Sequence, residues 1–414
     1  MADVRPAGPG PEQLRLSGDE RTASPRWAAW RAGVGLWALS CLGFLLVGRA
    51  FATLSGKLVR DQLPSAAWPS YIFNHFDSGH FLRIAVHGYF TTYRGTPNWD
   101  EAFLPGYPAA SRFVAEVVGA GQLTPVTAFV GMSIVAWLGT LASAVLVIRL
   151  TEATGGSTND GAWSARVLLF GPYSVFLVAS YSESLFLALA LGAWLAGRRN
   201  KWWWAALLAA AAALVRVNGL FLLAGLAVMA VADARGTTRQ CLLRVAVLAV
   251  ALAAPVGYVY FLHRNSGSWF TWLDAQRGGW GRGTTLPLAS FWNSCSKLWG
   301  PVATVAERYQ SAMELVFATL MVAGGWILFK LQRWPELAYV GLTAVSLLTS
   351  TVYLSIPRSV LLCFPLLVLT GQWLRRSLAT PGSDERALAR LVIGGGVALA
   401  AVNTATFVSQ QWTG

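Results

Sequence analysis

The chain of 414 residues is 55 % hydrophobic and only 12 % charged, with 20 Trp, 41 Gly and a formal net charge of +13. Ordinary soluble domains carry about 25 % charged residues, so this composition, at a mean hydropathy of +0.49, excludes a soluble enzyme, a disordered chain, a disulfide scaffold and a coiled coil. The basic balance reads as the cytoplasmic Lys/Arg excess of a multi-span membrane protein and not as nucleic-acid binding, because no Lys/Arg cluster interleaves with aromatic residues on a polar face.

Residues 1–25 are rich in Pro, Gly and charge without periodicity, which predicts a disordered cytoplasmic tail ahead of a single membrane domain over 26–414. Apolar runs follow at about 32–52, 123–148, 163–179, 184–197, 202–215, 219–232, 243–263, 311–329, 336–354, 357–374 and 391–410. Most approach the length that crosses about 30 Å of hydrocarbon, which predicts an all-α, polytopic transmembrane helical bundle of about eleven spans. The runs between 163 and 232 are short, so broken helices or re-entrant segments are expected there. Lys and Arg of the short loops, among them Arg198, Arg199, Lys201, Arg239, Arg244, Arg375 and Arg376, collect on one side. That side is the cytoplasm, with the N-terminus inside and two long extracytoplasmic loops at about 53–122 and 264–310. In the short outer turns, Arg216 and Arg358 break the pattern.

The first loop contains SGHFLRIAVHGY (78–89) and ASRFVAEVVG (110–119), two candidate short amphipathic helices. The second carries Trp269, Trp272, Trp280, Trp292 and Trp299, an interfacial belt or a platform for stacking on a sugar. Cys41, Cys241, Cys295 and Cys363 show no CxxC spacing and read as free thiols. There is no Rossmann glycine fingerprint and no P-loop, so the ligand is expected from the lipid phase or from outside.

Ionisable groups near a membrane are functional candidates by default. Asp77 ends the aromatic run YIFNHF at the start of an amphipathic segment, where it either accepts a proton from a substrate hydroxyl or caps the following helix together with Ser78. Glu183, in the polar tetrad YSES, is either a turn residue or an orienting carboxylate. Arg216 and Arg358 lie in apolar sequence and each needs an anion, either a protein carboxylate such as Glu183 or a lipid phosphate. His75, His80, His87 and His263 have no HxxxH or HExxH spacing, so no metal site is expected. Asp100–Glu101 is an adjacent outer acidic pair open to a cation.

Taken together, four segments resemble the PIG-V family, the GPI mannosyltransferase II type and its bacterial relatives within the GT-C superfamily. FDSGHFLRIAVHGYF followed by EAFLPGYPAASR is similar to the family's first outer loop, and GPYSVFLVASYSESLF with AALVRVNGL to its next helices. YLSIPRSVLLCFPL and, more loosely, DAQRGGWGR complete the set between about residues 73 and 370. Two positions depart from the pattern: Phe76 stands where Trp is usual, and Gly106 interrupts the aromatic-proline motif.

The resemblance implies a GT-C-like fold and an inverting glycosyltransferase that moves a sugar, mannose, from polyprenyl phosphate to a glycolipid or glycan hydroxyl on the outer face. Asp77 would be the general base, and Arg216 and Arg358 would face the donor phosphate. Glu183, Tyr181, Glu101, His80, Arg83, Trp280 and Arg282 would bind or orient substrate. The implied partners are lipid-linked sugar, acceptor and membrane lipid, with no further cofactor. Two other classes remain open at this point: a lipid or polyprenol transporter, and a non-catalytic envelope scaffold on the same fold.

Overall fold

A helix rises 1.5 Å per residue, so about 20 apolar residues are needed to cross the hydrocarbon. In the computed structural model five helical stretches are that long and that apolar: Trp27–Leu54, Pro125–Ala153, Thr238–Ser266, Val305–Lys330 and Asp384–Val408. The structure describes residues 26–54, 72–93, 95–232, 237–301 and 303–409. The expected tail at 1–25 and residues 55–71 of the first long loop lie outside them.

In chain order, α1 (Arg26–Leu54) precedes α2 (Asp77–His87), a two-stranded ladder of β1 (Thr92–Tyr93) and β2 (Thr96–Pro97), a 3-10 turn (Asp100–Ala102) and α3 (Gly106–Val118). Then come α4 (Pro125–Ala153), α5 (Thr158–Phe170), α6 (Val175–Val178), α7 (Glu183–Arg198), α8 (Trp202–Val215) and α9 (Asn218–Ala232). The next apolar stretch is α10 (Thr238–Val250) and α11 (Ala253–Ser266), followed by α12 (Thr271–Trp280) and α13 (Pro287–Trp299). The chain continues with α14 (Val305–Lys330), α15 (Trp334–Leu348), α16 (Ile356–Val360), α17 (Phe364–Ala379) and α18 (Asp384–Val408).

The helix α4 is the hub, packed by α1, α3, α5 and α7. Two thirds of its apolar window (67 %) is buried, against 22 % for α1 and 28 % for α18. The peripheral helices therefore turn apolar faces outward: Leu39, Leu42 and Leu46 of α1 and Leu391 and Val397 of α18 are exposed. Such faces are stable against lipid, where every backbone polar group is satisfied within the helix. The molecule is a membrane protein of the all-α class.

Several expected spans end early. The run at 163–179 stops at Phe170, before Gly171–Pro172, and resumes only as the four residues of α6. The run at 336–354 stops at Leu348, and that at 357–374 is divided into α16 and α17. Proline lacks the N–H that continues a helix, and Pro172, Pro357 and Pro365 stand at these breaks. In the first loop both amphipathic helices form, as α2 and α3. The inner face of α3 (Tyr107, Ser111, Ala115) packs on α4, while Phe113 and Val117 face outward.

Candidate active site

Four charged side chains form an alternating chain at the ends of α2, α7 and α8 and within the short α16. Asp77 opens α2, Glu183 opens α7, Arg216 follows α8, and Arg358 sits in the middle of α16. Arg358 Nη1 donates to Asp77 Oδ2 at 2.8 Å, and its Nε lies 2.9 Å from Glu183 Oε1. Arg216 Nη1 donates to the same Glu183 oxygen at 2.7 Å and to Ser182 Oγ at 3.0 Å. Asp77, Glu183 and Arg358 are all buried. The Arg358 guanidinium also lies over the rings of Phe176 and Tyr181, 5.3 and 5.5 Å from their centroids. Tyr181 is fixed in turn by its hydroxyl, which donates to His75 O at 2.8 Å.

The local sequence explains these placements. The N-cap of α2 is Phe76, which offers no side-chain cap, and Ser78 Oγ donates to Asn74 Oδ1 and His75 O. The helix-cap alternative for Asp77 therefore does not hold, and its carboxylate is turned to Arg358. Arg216 is held by the reversal between α8 and α9, which only glycine permits at 219: a Cβ there would lie 2.3 Å from Ala213 N. Phe76 and Ser355 adopt positive φ, 56° and 65°, and both line the same cavity. Non-glycine residues in such conformations cost about 1–3 kcal/mol each and cluster at functional sites.

That cavity has a volume of about 370 Å³ and is walled by Asp77, His80, Phe103, Trp280, Arg282 and Arg358. His80 stacks on Phe103 at 4.7 Å, and Trp280 meets Phe103 edge-on at 5.2 Å. A second cavity of about 250 Å³ adjoins it, lined by Arg216, Arg277, Phe221, Leu273 and Leu347 among others. Arg282, Arg358, Gln276, Leu354 and Ser355 belong to both linings. The arrangement is an aromatic, carboxylate-bearing chamber and a cationic, partly apolar one, with two arginines on their shared wall.

Arg282 differs from its neighbours. Its Nη2 donates to Leu354 O at 3.3 Å, and among the described residues no carboxylate pairs with it. Burial, reinforced by the nearby positive charge of Arg358, pushes its guanidinium down to about 10. An under-compensated guanidinium of this kind favours an anionic ligand.

The structure brings Asp77, His80, Trp280, Arg282 and Arg358 to the first cavity and Arg216 to the second. Glu183 joins the two arginines from behind, and Tyr181 supports Arg358. Like Glu183 and Tyr181, the expected substrate-orienting residues Arg83 and Glu101 line neither cavity. Arg83 donates through Nε and Nη2 to Asp100, and Glu101 Oε1 accepts from Phe90 N at 2.9 Å. Both shape the loop instead. Asp100 is fully buried and accepts from His80, Arg83 and Thr91 at 2.7–2.9 Å. Burial alone would raise its carboxyl, but these hydrogen bonds outweigh it and hold it at about 2. The acidic pair is thus occupied by protein donors, and among the described residues no group of three or more His, Cys, Asp or Glu side chains gathers as a metal site.

One residue of this neighbourhood was missed. Glu314, buried in α14, accepts from the backbone N–H of Ser355 and Ile356 at 2.6 and 2.8 Å, immediately before Arg358. A carboxylate within the apolar run 311–329 was a readable signal, since intramembrane acids are costly unless satisfied.

Residues 56–236 match a family model described as Mannosyltransferase (PIG-V). The chain is 32 % identical over 150 residues to GPI alpha-1,6-mannosyltransferase 2 of Cricetulus griseus and 31 % identical over 155 residues to that of Homo sapiens. Each match covers 36 % of this chain and 29 % of the relative, so the chain spans less than a third of these relatives. An oligosaccharyltransferase of Archaeoglobus fulgidus is similar in structure with a TM-score of 0.41 and 10 % identity, over 89 % of this chain and 53 % of that one.

Proposed function

From the match of residues 56–236 to the PIG-V mannosyltransferase family model, we propose a membrane glycosyltransferase that moves mannose from polyprenyl phosphate to an acceptor hydroxyl. The observation that carries this reading is the shared wall: Arg282 and Arg358 face both cavities, while Asp77 faces only the first. The donor's prenyl chain stays in the bilayer, with its phosphate in the cationic chamber beside Arg282 and its sugar reaching toward Asp77. Arg216 and Arg358 are paired with Glu183 and Asp77, so Arg282 supplies the main counter-charge and Arg358 the second.

The chemistry is a single displacement. The acceptor oxygen attacks the anomeric carbon, the bond from that carbon to the phosphate oxygen breaks, and its electron pair leaves with polyprenyl phosphate. Asp77 takes the hydroxyl proton, and the anomeric configuration inverts. Arginines placed where charge develops on the leaving phosphate stabilise the transition state. His80, Phe103 and Trp280 give a sugar-sized stacking surface. The reaction faces the outer side of the membrane, with the N-terminus in the cytoplasm.

Membranes containing the chain are incubated with radiolabelled polyprenyl-phosphate mannose and endogenous acceptors, beside Asp77→Asn. The unmodified chain moves label into glycolipid or glycan. The variant keeps its membrane level and loses about 100- to 10,000-fold in rate, the range of a general base. Equal transfer by both would remove Asp77 from the mechanism.

A further inference from the structure

Arg358 stands on α16, a helix of five residues, Ile356–Val360, too short to hold itself in place by its own hydrogen bonds. The segment leading into it, residues 349–355, is neither helix nor regular sheet. Its last residue, Ser355, has φ 65°, a conformation that non-glycine residues avoid. Something outside α16 must therefore fix the guanidinium.

The strongest tie comes from α14. Both carboxylate oxygens of Glu314 are used: Oε1 accepts from Ser355 N at 2.6 Å and Oε2 from Ile356 N at 2.8 Å. These two N–H groups lie at the start of α16, where a helix leaves donors without intrahelical partners. Glu314 is 2 % exposed, so its hydrogen bonds exclude competition from water. Other ties hold the same segment from the second long loop: Tyr353 N donates to Ser294 Oγ at 2.9 Å, Asn293 Nδ2 to Thr351 O at 3.0 Å, Thr351 N to Gly283 O at 2.9 Å and Arg282 Nη2 to Leu354 O at 3.3 Å, but none of these reaches the two N–H groups that Glu314 binds.

We propose that Glu314 is a positioning residue of the transfer reaction: its carboxylate clamps the 355–356 backbone and so fixes Arg358 between Asp77 and Glu183. The proposal rests on the reaction described above. Glu314 does not line either cavity, and it acts only through Arg358.

Glu314→Gln keeps the volume but replaces one acceptor oxygen with an N–H donor that opposes a backbone N–H. Hydrogen exchange on the full-length purified chain is expected to rise in peptides covering 350–360 and to stay unchanged in α4 and α7. In the transfer assay kcat falls about 10- to 100-fold with donor KM held within a factor of about two, since a displacement of about 1 Å can cost 100-fold. The decisive step is a double-mutant cycle. Lysine at 358 is a flexible point charge that needs no fixed fork. Glu314→Gln should therefore cost less than about threefold on an Arg358→Lys background, and the two effects should not add. If Glu314→Gln fails to accumulate, Glu314→Asp, one methylene short with its charge kept, carries the same measurements with a smaller loss.

Unchanged exchange at 350–360 overturns the clamp whatever the activity. Fully additive losses overturn the action through Arg358. A chain that transfers no mannose but loosens at 350–360 in the variant would sink the transfer reading and leave the clamp standing.

Discussion

Arg358 touches two carboxylates at once, and Glu183 touches two arginines, so the charges of Asp77, Glu183, Arg216 and Arg358 balance within one buried chain. Removing an inner member strands its partners, which typically costs about 3–5 kcal/mol. Arg358→Ala should accordingly lower the detergent-solubilised chain's unfolding temperature as well as its activity. Among the described residues Arg282 has no ion pair to break. Arg282→Gln, which keeps an N–H able to reach Leu354 O, should therefore lower thermal stability less than Arg358→Ala does, while raising donor KM about tenfold, the value of one lost charge-assisted bond. A variant pair with the reverse pattern would show the phosphate to be held elsewhere.

Asp100 gives a separate residue-level test. Its carboxyl is held at about 2, below the ordinary 3.8, by donors from His80, Arg83 and Thr91. A depressed carboxyl contributes stability that is complete above its unfolded value and is lost as pH falls toward the folded one. Limited proteolysis of the 88–105 loop should be unaffected at pH 6 and accelerate between about pH 4 and pH 2. In Asp100→Asn that acid-dependent step should be missing and cleavage already faster at pH 6. At this scale the sequence was informative where charge stood out of place: Arg216 and Arg358 were visible as basic residues in outer turns. Glu183 was a named candidate anion for both and pairs with both, but the Asp77–Arg358 pairing was not visible, because side chains 281 positions apart share no local pattern.

Among the elements, α13 is built inside out. Ser290 and Ser294 are 0 % and 3 % exposed, whereas Leu288 and Trp292 are 78 % and 71 % exposed. The hydroxyl face holds the 350–353 backbone, with Ser290 Oγ donating to Ser350 O and Ser294 Oγ accepting from Tyr353 N. The apolar face points away, as suits an interfacial helix. The Trp-rich loop thus has two roles by position: Trp280 walls the cavity and Trp292 faces out. The helix α12 is drawn to the first loop by its paired glycines. A Cβ on Gly278 would lie 2.5 Å from the Trp99 ring, and Gln276 Nε2 reaches Ala102 O at 3.1 Å. Apolar runs made the long helices legible. The short runs between 163 and 232 pointed to broken helices, and one break falls there at 171–174. The breaks at 349–355 and 361–363 were not legible, because an average over a window of hydropathy passes through a few Ser, Thr and Pro residues without registering the lost backbone hydrogen bonds.

Across the whole molecule, the site is shared between the family-matched region 56–236 and the sequence beyond it. The first supplies Asp77, Glu183 and Arg216. The second supplies Arg282, Arg358 and the clamp from Glu314. The proposed orientation can be read with two native thiols, since Cys241 and Cys295 are both half-buried and unpaired. A membrane-impermeant maleimide added to sealed cells should label Cys295, on the loop side, and spare Cys241, which should react only after permeabilisation. The opposite labelling would invert the topology and move transfer to the cytoplasmic face.

The separation of 281 residues between Asp77 and Arg358 also sets a clock. At about 5–20 residues per second, the ribosome needs on the order of tens of seconds to travel from one to the other. Throughout that interval Asp77, the proposed general base, is made and inserted, yet its arginine does not exist. Under the proposed mechanism a nascent chain is therefore inert toward its donor, and cannot become competent before synthesis has passed α16.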